Sequence, residues 1–260
     1  LFTHGGDYTD NVNPKQLGKF KLYYRGEWDD SLFEKCMTIV GSRRMTDYGK
    51  RVIEKIVPQL VQDGWTIVSG FMYGVDQYVH QTCIECGGRT IAVLGWGIDQ
   101  ETDTKIIDSG GLLLSLWKDQ KGTLWTFPAR DRVMAAIGHE LIVVEAGIKS
   151  GSLITAEMAY NLKKPIWAVP GPITSSVSVG TNMLIAEGRA KILNNFQFSI
   201  SNLQSNSNDP ILQLIQDQGL DVSEIARRLG KSASEIGSEL TMLMLKGDVE
   251  EREGKYFVLK

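Results

Sequence analysis

Apolar residues gather in six short runs along the chain, at 37–40, 66–69, 90–94, 112–115, 141–144 and 166–169. Each run is nearly continuous instead of alternating, as expected of strands covered on both faces. Between them the spacing turns helical, most clearly over 48–63, and again over 75–86 and 155–162. Strands alternating with helices predict an α/β fold built on a mostly parallel sheet.

After residue 198 the pattern stops. The segment 199–208 is rich in Ser and Asn and has no period, which predicts a linker between a first domain, 1–198 with a short N-terminal extension, and a second, 209–260. Within the second, helical patterns over 210–218, 221–230 and 232–246 precede a hairpin pattern over 249–258 that turns at Glu253 and Gly254. Ser223 is the expected cap of the middle helix. Three helices and a hairpin predict a winged helix. No internal repeat is visible.

Charge narrows the choices. The 260 residues hold 28 Lys+Arg against 31 Asp+Glu, a net of -3, so any polyanion site must be local. The tail from Asp209 holds ten acidic and seven basic residues, whereas the rest carries 21 of each sign. A winged helix that grips phosphate should be basic, so this one is expected to contact protein or to serve the fold. The longest uncharged stretch, 165–186, is broken by Pro170, Gly171 and Pro172 and predicts no membrane span. Leu1 to Asp10 lacks the apolar segment of a signal peptide, and three cysteines make no disulfide framework, so a soluble cytoplasmic protein is expected. Cys83 and Cys86 have the spacing of half a zinc site, but nothing closes the tetrahedron. They read as small apolar residues on a buried helix face, and no metal or cofactor is implied.

The ends of the parallel strands are where ligands bind in such sheets. After the first run come Gly41, Ser42 and Arg43; after the second, Ser69 and Gly70; after the fifth, Ser150, Gly151, Ser152 and Thr155 at a helix start; after the sixth, Gly171. Paired hydroxyls and successive N–H groups make an anion nest, and Arg43 adds a cation to the same rim. Together they describe a phosphate-binding crevice. Phe127, Arg130 and Arg132 offer an aromatic face beside two guanidiniums, which suits single-stranded nucleic acid; a core Phe with Arg residues on a wet helix face is the alternative. Gly95-Trp96-Gly97 lacks the remaining parts of a dinucleotide fingerprint. Asp76 and His80, four residues apart, are expected as a helix-surface pair, and no nucleophile and base emerge.

At these residues the chain resembles the DNA-processing protein A family, DprA or Smf. The likeness is carried by Leu22-Tyr-Tyr-Arg-Gly26, Val40-Gly-Ser-Arg43, Ile67-Val-Ser-Gly70, Gly74-Val-Asp76, Thr90-Ile-Ala-Val-Leu-Gly95, Phe127-Pro-Ala-Arg-Asp-Arg132, Ser150-Gly-Ser-Leu-Ile-Thr-Ala156, Ala168-Val-Pro-Gly171 and Gly180-Thr-Asn182. It implies an extended Rossmann-like domain that binds single-stranded DNA, forms a homodimer and loads the RecA recombinase onto DNA during natural transformation, without being an enzyme. A C-terminal winged helix is usual in that family. This chain has Asp131 where the family's arginine motif usually has Asn. The competing class is an enzyme of similar fold, a nucleoside-monophosphate phosphoribohydrolase, with Glu145 as its candidate glutamate; the phosphate loop typical of such enzymes is absent.

Overall fold

The computed structural model describes residues 15–194, 210–215, 219–246, 249–252 and 254–258. The chain divides into two compact units, Leu1–Asn194 and Asn195–Lys260. The segment expected as a linker lies outside the described residues.

The first unit is built on a nine-stranded sheet. Its strands are β1 (Lys15–Leu17), β2 (Phe20–Arg25), β3 (Cys36–Val40), β4 (Thr66–Ser69), β5 (Thr90–Val93), β6 (Leu112–Ser115), β7 (Glu140–Val143), β8 (Ile166–Ala168) and β9 (Lys191–Ile192). They lie in the order β1-β2-β6-β5-β4-β3-β7-β8-β9. From β6 to β9 all neighbours are parallel; β1 and β2 form a hairpin whose second strand runs antiparallel to β6. The six expected strands are β3 to β8. The short strands β1 and β9 and the mixed-polarity β2 carry no continuous apolar run, which is why the pattern passes them over.

Among the described residues six α-helices accompany this sheet: α1 (Asp47–Gln62), α2 (Val75–Glu85), α3 (Lys105–Asp108), α4 (Thr126–Ile137), α5 (Gly151–Asn161) and α6 (Val179–Ala186). Thr46 caps α1, its hydroxyl accepting from the Gly49 N–H. β3 to β6 have no exposed residue, in keeping with their unbroken apolar pattern. One apolar cluster, with Val68, Leu114, Val133, Leu141 and Ala156, and another, with Leu94, Ile106 and Leu113, fill the core.

Two expectations about α2 need correction. Cys83 is buried but Cys86 is exposed, because the helix ends at Glu85 and the chain turns outward there. Asp76 and His80 are not on the surface: both are buried, drawn in by partners described below.

The second unit has α7 (Pro210–Ile215), α8 (Val222–Leu229) and α9 (Ala233–Lys246), then the hairpin β10 (Val249–Arg252) and β11 (Lys255–Val258). A bridge from Leu220 to Tyr256 joins the hairpin to the chain before α8, completing the winged helix. Ile211, Ile215, Ile225, Ile236, Leu240 and Val249 make its separate core. The cap of α8 is Asp221, not Ser223: its carboxylate accepts from the Glu224 N–H at 2.9 Å. Ser223 already lies inside the helix, and the extended backbone of Asp221 is what a cap requires.

Candidate nucleic-acid interface

Sheet order places the site. From β3 the chain builds outward to β4, β5 and β6, then returns to lay β7 on the other side of β3. The order therefore reverses between β3 and β7, and the loops leaving these two strands part there to form a crevice. A cavity of about 830 Å³ occupies it, lined from one side by Gly41, Ser42, Arg43 and Arg44 and from the other by Gly147 to Ser152. Tyr73, Asp76, Leu124, Phe127, Arg130 and Asp131 also stand in its wall, with Ile154 and Thr155 from α5.

Each rim group is held by local chemistry. The Ser42 hydroxyl accepts from the Arg44 N–H at 2.9 Å while the Ser42 carbonyl accepts from Val75 N–H at 3.1 Å, which fixes the turn after β3 against the start of α2. A side chain at Gly41 would run into Val75, 2.6 Å away, so only glycine allows this approach. The Arg43 guanidinium lies 5.5 Å from the Phe127 ring centre and 5.8 Å from that of Tyr73, within range of cation–π attraction to both. Across the crevice α5 begins at Gly151, four residues before its apolar periodicity does, and presents its positive end. The Ser150 and Ser152 hydroxyls lie 2.7 Å apart at that end.

Behind this rim lies a buried charge cluster. Arg130 Nη1 donates to the Val93 carbonyl at 2.7 Å and its Nε donates to Asp131 Oδ1 at 2.9 Å. The Cβ missing from Gly70 would be 2.3 Å from both Arg130 Nη1 and Asp76 Oδ2, so glycine is what lets these groups close over the end of β4. Burial pushes the Asp76 carboxyl up to about 6, opposed by Arg130, and raises Asp131 in the same sense. His80 Nε2–H donates to the Gly70 carbonyl at 2.6 Å and Nδ1 faces the Thr90 hydroxyl at 2.7 Å. Burial presses this imidazole down to about 4, so it is neutral at pH 7.

The structure thus brings together nine residues nominated from sequence: Gly41, Ser42, Arg43, Phe127, Arg130, Ser150, Gly151, Ser152 and Thr155. Of these, Arg130 is only 4% exposed and committed to Asp131 and the backbone, so its guanidinium positions the wall instead of reaching out. Four others stand apart. Ser69 is fully buried and donates to the Ile39 carbonyl; Gly70 lies under the cluster; Gly171 is clamped by the Asn182 side chain; Arg132 is exposed but outside the lining. Sequence reasoning missed Arg44, Tyr73 and Lys149, each of which directly follows or precedes a nominated motif.

The competing enzymatic residue is also accounted for. Glu145 is buried, and its carboxylate accepts from the Thr46 N–H at 3.0 Å and from the Thr46 hydroxyl. It serves the N-terminus of α1 and does not line the crevice.

Comparison with known proteins places this geometry. Residues 1–204 match the family described as DNA recombination-mediator protein A, and residues 204–255 match the DprA winged helix domain. The DNA processing protein DprA of Streptococcus pneumoniae is 37% identical over 183 residues, covering 68% of this chain and 64% of that protein. Protein Smf of Escherichia coli is 30% identical over 268 residues, covering 92% of this chain and 71% of that one. Protein Smf of Synechocystis is 36% identical, over 69% of this chain and 48% of that protein. The chain thus spans about half to two thirds of the length of the first and third of these. The structure of Streptococcus pneumoniae DNA processing protein A superposes with a TM-score of 0.62 at 35% identity, over 69% of this chain and 65% of that one. That of Helicobacter pylori DNA processing protein A, described for its single-stranded DNA binding mode, gives 0.62 at 30% identity, over 73% and 88%.

Proposed function

This chain belongs to the DNA recombination-mediator protein A family, and on that premise we propose that its first domain binds single-stranded DNA in the crevice between β3 and β7. The observation that carries the reading is Arg43, a cation that makes no ion pair within 4.0 Å among the described residues and feels the nearby charge of Asp131, standing between two aromatic rings and facing a helix N-terminus. Backbone phosphate meets Arg43 and the Ser150–Ser152 nest, while a base stacks on Phe127. Arg44 and Lys149 add positive potential along the same rim. Asp76, Asp131, Arg130 and Gly70 form the scaffold that sets the height of this wall.

The protein works as a binding protein without catalysis, as a homodimer in the cytoplasm, and hands its DNA to the RecA recombinase. The engagement of Glu145 as the partner of Thr46 supports binding over ribosyl transfer. A mobility-shift titration with oligothymidylate, run beside an assay for free base released from nucleoside monophosphates, tests the reading. Retarded DNA with no base release is expected; base release without a shift would overturn it. Adding RecA to the retarded complex, and sedimentation of the protein alone, test the partner and the dimer.

A further inference from the structure

The segment between β6 and α4 places a second aromatic group beside the crevice. Trp125 is 57% exposed and Leu124, next to it, is 95% exposed. Leu124 lines the crevice, and Trp125 follows it directly in the chain. Such a ring on a surface normally loses apolar burial for nothing, and a lone one would be unremarkable. This one is held in place. Its ring meets Trp117 at 5.4 Å between centres with the planes at 89°, the edge-to-face geometry that fixes aromatic pairs.

The backbone beneath is equally fixed. Thr126, fully buried, accepts from the Thr123 N–H at 2.9 Å, and its own N–H and hydroxyl donate to the Thr123 carbonyl. Farther back, the Gly97, Ile98 and Asp99 N–H groups donate to the carbonyls of Gln120, Trp117 and Lys118, tying the segment to the loop after β5. Lys118 and Lys121 are both exposed on it, and the one intervening acid, Asp119, is engaged by Gln100 Nε2 at 2.8 Å. An exposed ring, braced by a second ring and carried on a segment with two exposed lysines, has the chemistry that single strands use: a π-face for a base and cations for its phosphates.

We propose that Trp125, braced by Trp117, is a stacking platform for the stretch of single-stranded DNA that leaves the crevice over Leu124. The proposal rests on the reading of the crevice as a single-strand site and extends it by at least one base. Continuity with the crevice through Leu124 selects nucleic acid over a protein partner as the occupant. Stacking is tolerant of sequence because every base has a π-face, so the platform lengthens the footprint without adding base preference.

Fluorescence anisotropy of the full chain with labelled oligothymidylates of about 4 to 16 nucleotides, the range of single-strand site sizes per OB fold, tests it. Trp125→Ala is expected to weaken the longer oligonucleotides by between about fivefold and a hundredfold and to leave the shortest unchanged. Trp125→Phe, which keeps a π-face, should retain most of the long-oligonucleotide affinity, while Trp125→Leu should not. The dependence of affinity on salt should keep its slope, since no phosphate contact is lost. Unchanged binding of Trp125→Ala at every length, with Arg43→Ala still impaired, would overturn the platform and leave the crevice reading intact. Wild-type protein that binds no oligonucleotide of any length would overturn the crevice reading itself.

Discussion

The winged helix and the crevice of the first unit use their positive charges in opposite ways. In the winged helix Arg227 and Arg228 both reach Glu224, at 2.7 and 2.8 Å, Lys231 reaches Glu239 at 2.7 Å, and Arg252 pairs with Glu250. Around the crevice Arg43, Arg44 and Lys149 have no acidic partner within 4.0 Å among the described residues. A cation already satisfied by its own chain gains little from a phosphate; one held near rings and a helix N-terminus gains a full contact. Availability, more than net charge, separates a phosphate-binding surface from one that serves other ends. Arg130 makes the same point inside the first unit, where a guanidinium lining the crevice is already consumed by the fold.

The sharpest way to break this comparison is to treat Arg130 and Arg43 as equals. Arg130→Ala leaves the buried carboxyls of Asp76 and Asp131 without their counter-charge and should cost about 3 to 5 kcal/mol of stability. Urea denaturation reads this directly, and a loss under about 1 kcal/mol would mean that Arg130 is not part of the scaffold.

The same cluster has a pH signature set by burial, whereas the shifted carboxyls of the winged helix, Glu224 and Glu235, are lowered by their hydrogen-bond partners at the surface. The Asp76 carboxyl titrates at about 6 when folded against 3.8 as its ordinary value, so the folded state holds that proton longer and the stability from this group falls as pH rises from about 4 to 6. His80 titrates at about 4 against 6.5, so its contribution runs the other way, lost as pH falls from about 6.5 to 4. The two slopes oppose each other in the wild type, with Asp131, also raised by burial, adding to the side of Asp76. His80→Gln removes one of them, and stability should then fall with rising pH across this window by roughly 2 to 3 kcal/mol. Denaturant midpoints at several pH values that still show a flat profile would contradict this.

Arg43→Ala should act on DNA and not on folding. Single-strand affinity drops for all sequences alike, the slope of log K against log salt shrinks by about 0.7, the single-strand value per phosphate, and stability stays within about 0.5 kcal/mol. An unchanged slope in a folded protein would remove Arg43 from the site.

The smallest effects belong to the winged helix. A chain ending at Asn208 should keep most of the single-strand affinity, because every phosphate and stacking candidate precedes that point. Arg227→Ala in the full chain should leave the binding curve where it was. Loss of binding in the shortened protein, with circular dichroism showing an intact α/β domain, would give the winged helix the role assigned here to the crevice.

Much of this was legible in the chain before folding. Continuous apolar runs marked β3 to β8, since a strand buried on both faces cannot hide its pattern, and the glycine, serine and arginine residues after them marked the strand ends. The shorter β1 and β9 left no such trace. Phe127 was legible as an aromatic beside cations, but whether it filled the core was open; it is half-buried, its ring close enough to Gly95 that a side chain there would collide with it at 2.5 Å. Arg130 and Arg132 looked alike on paper and differ completely in space, because residues two apart on a helix point about 200° apart and only one of them faces the sheet.

By itself, then, the sequence determined the six central strands β3 to β8 and the helices α1, α2 and α5 among them, that a second small domain follows, and which loops carry small and cationic residues, because hydrophobic period and turn chemistry are local properties. Tertiary structure decided the rest. It set the reversal of strand order that opens the crevice between β3 and β7, turned Arg130 inward and left Arg43 without an ion pair among the described residues, made Glu145 a partner of Thr46, and braced Trp125 against Trp117. Each of these depends on residues far apart in the chain, or on which face of an element meets the core, and neither is written in any local pattern.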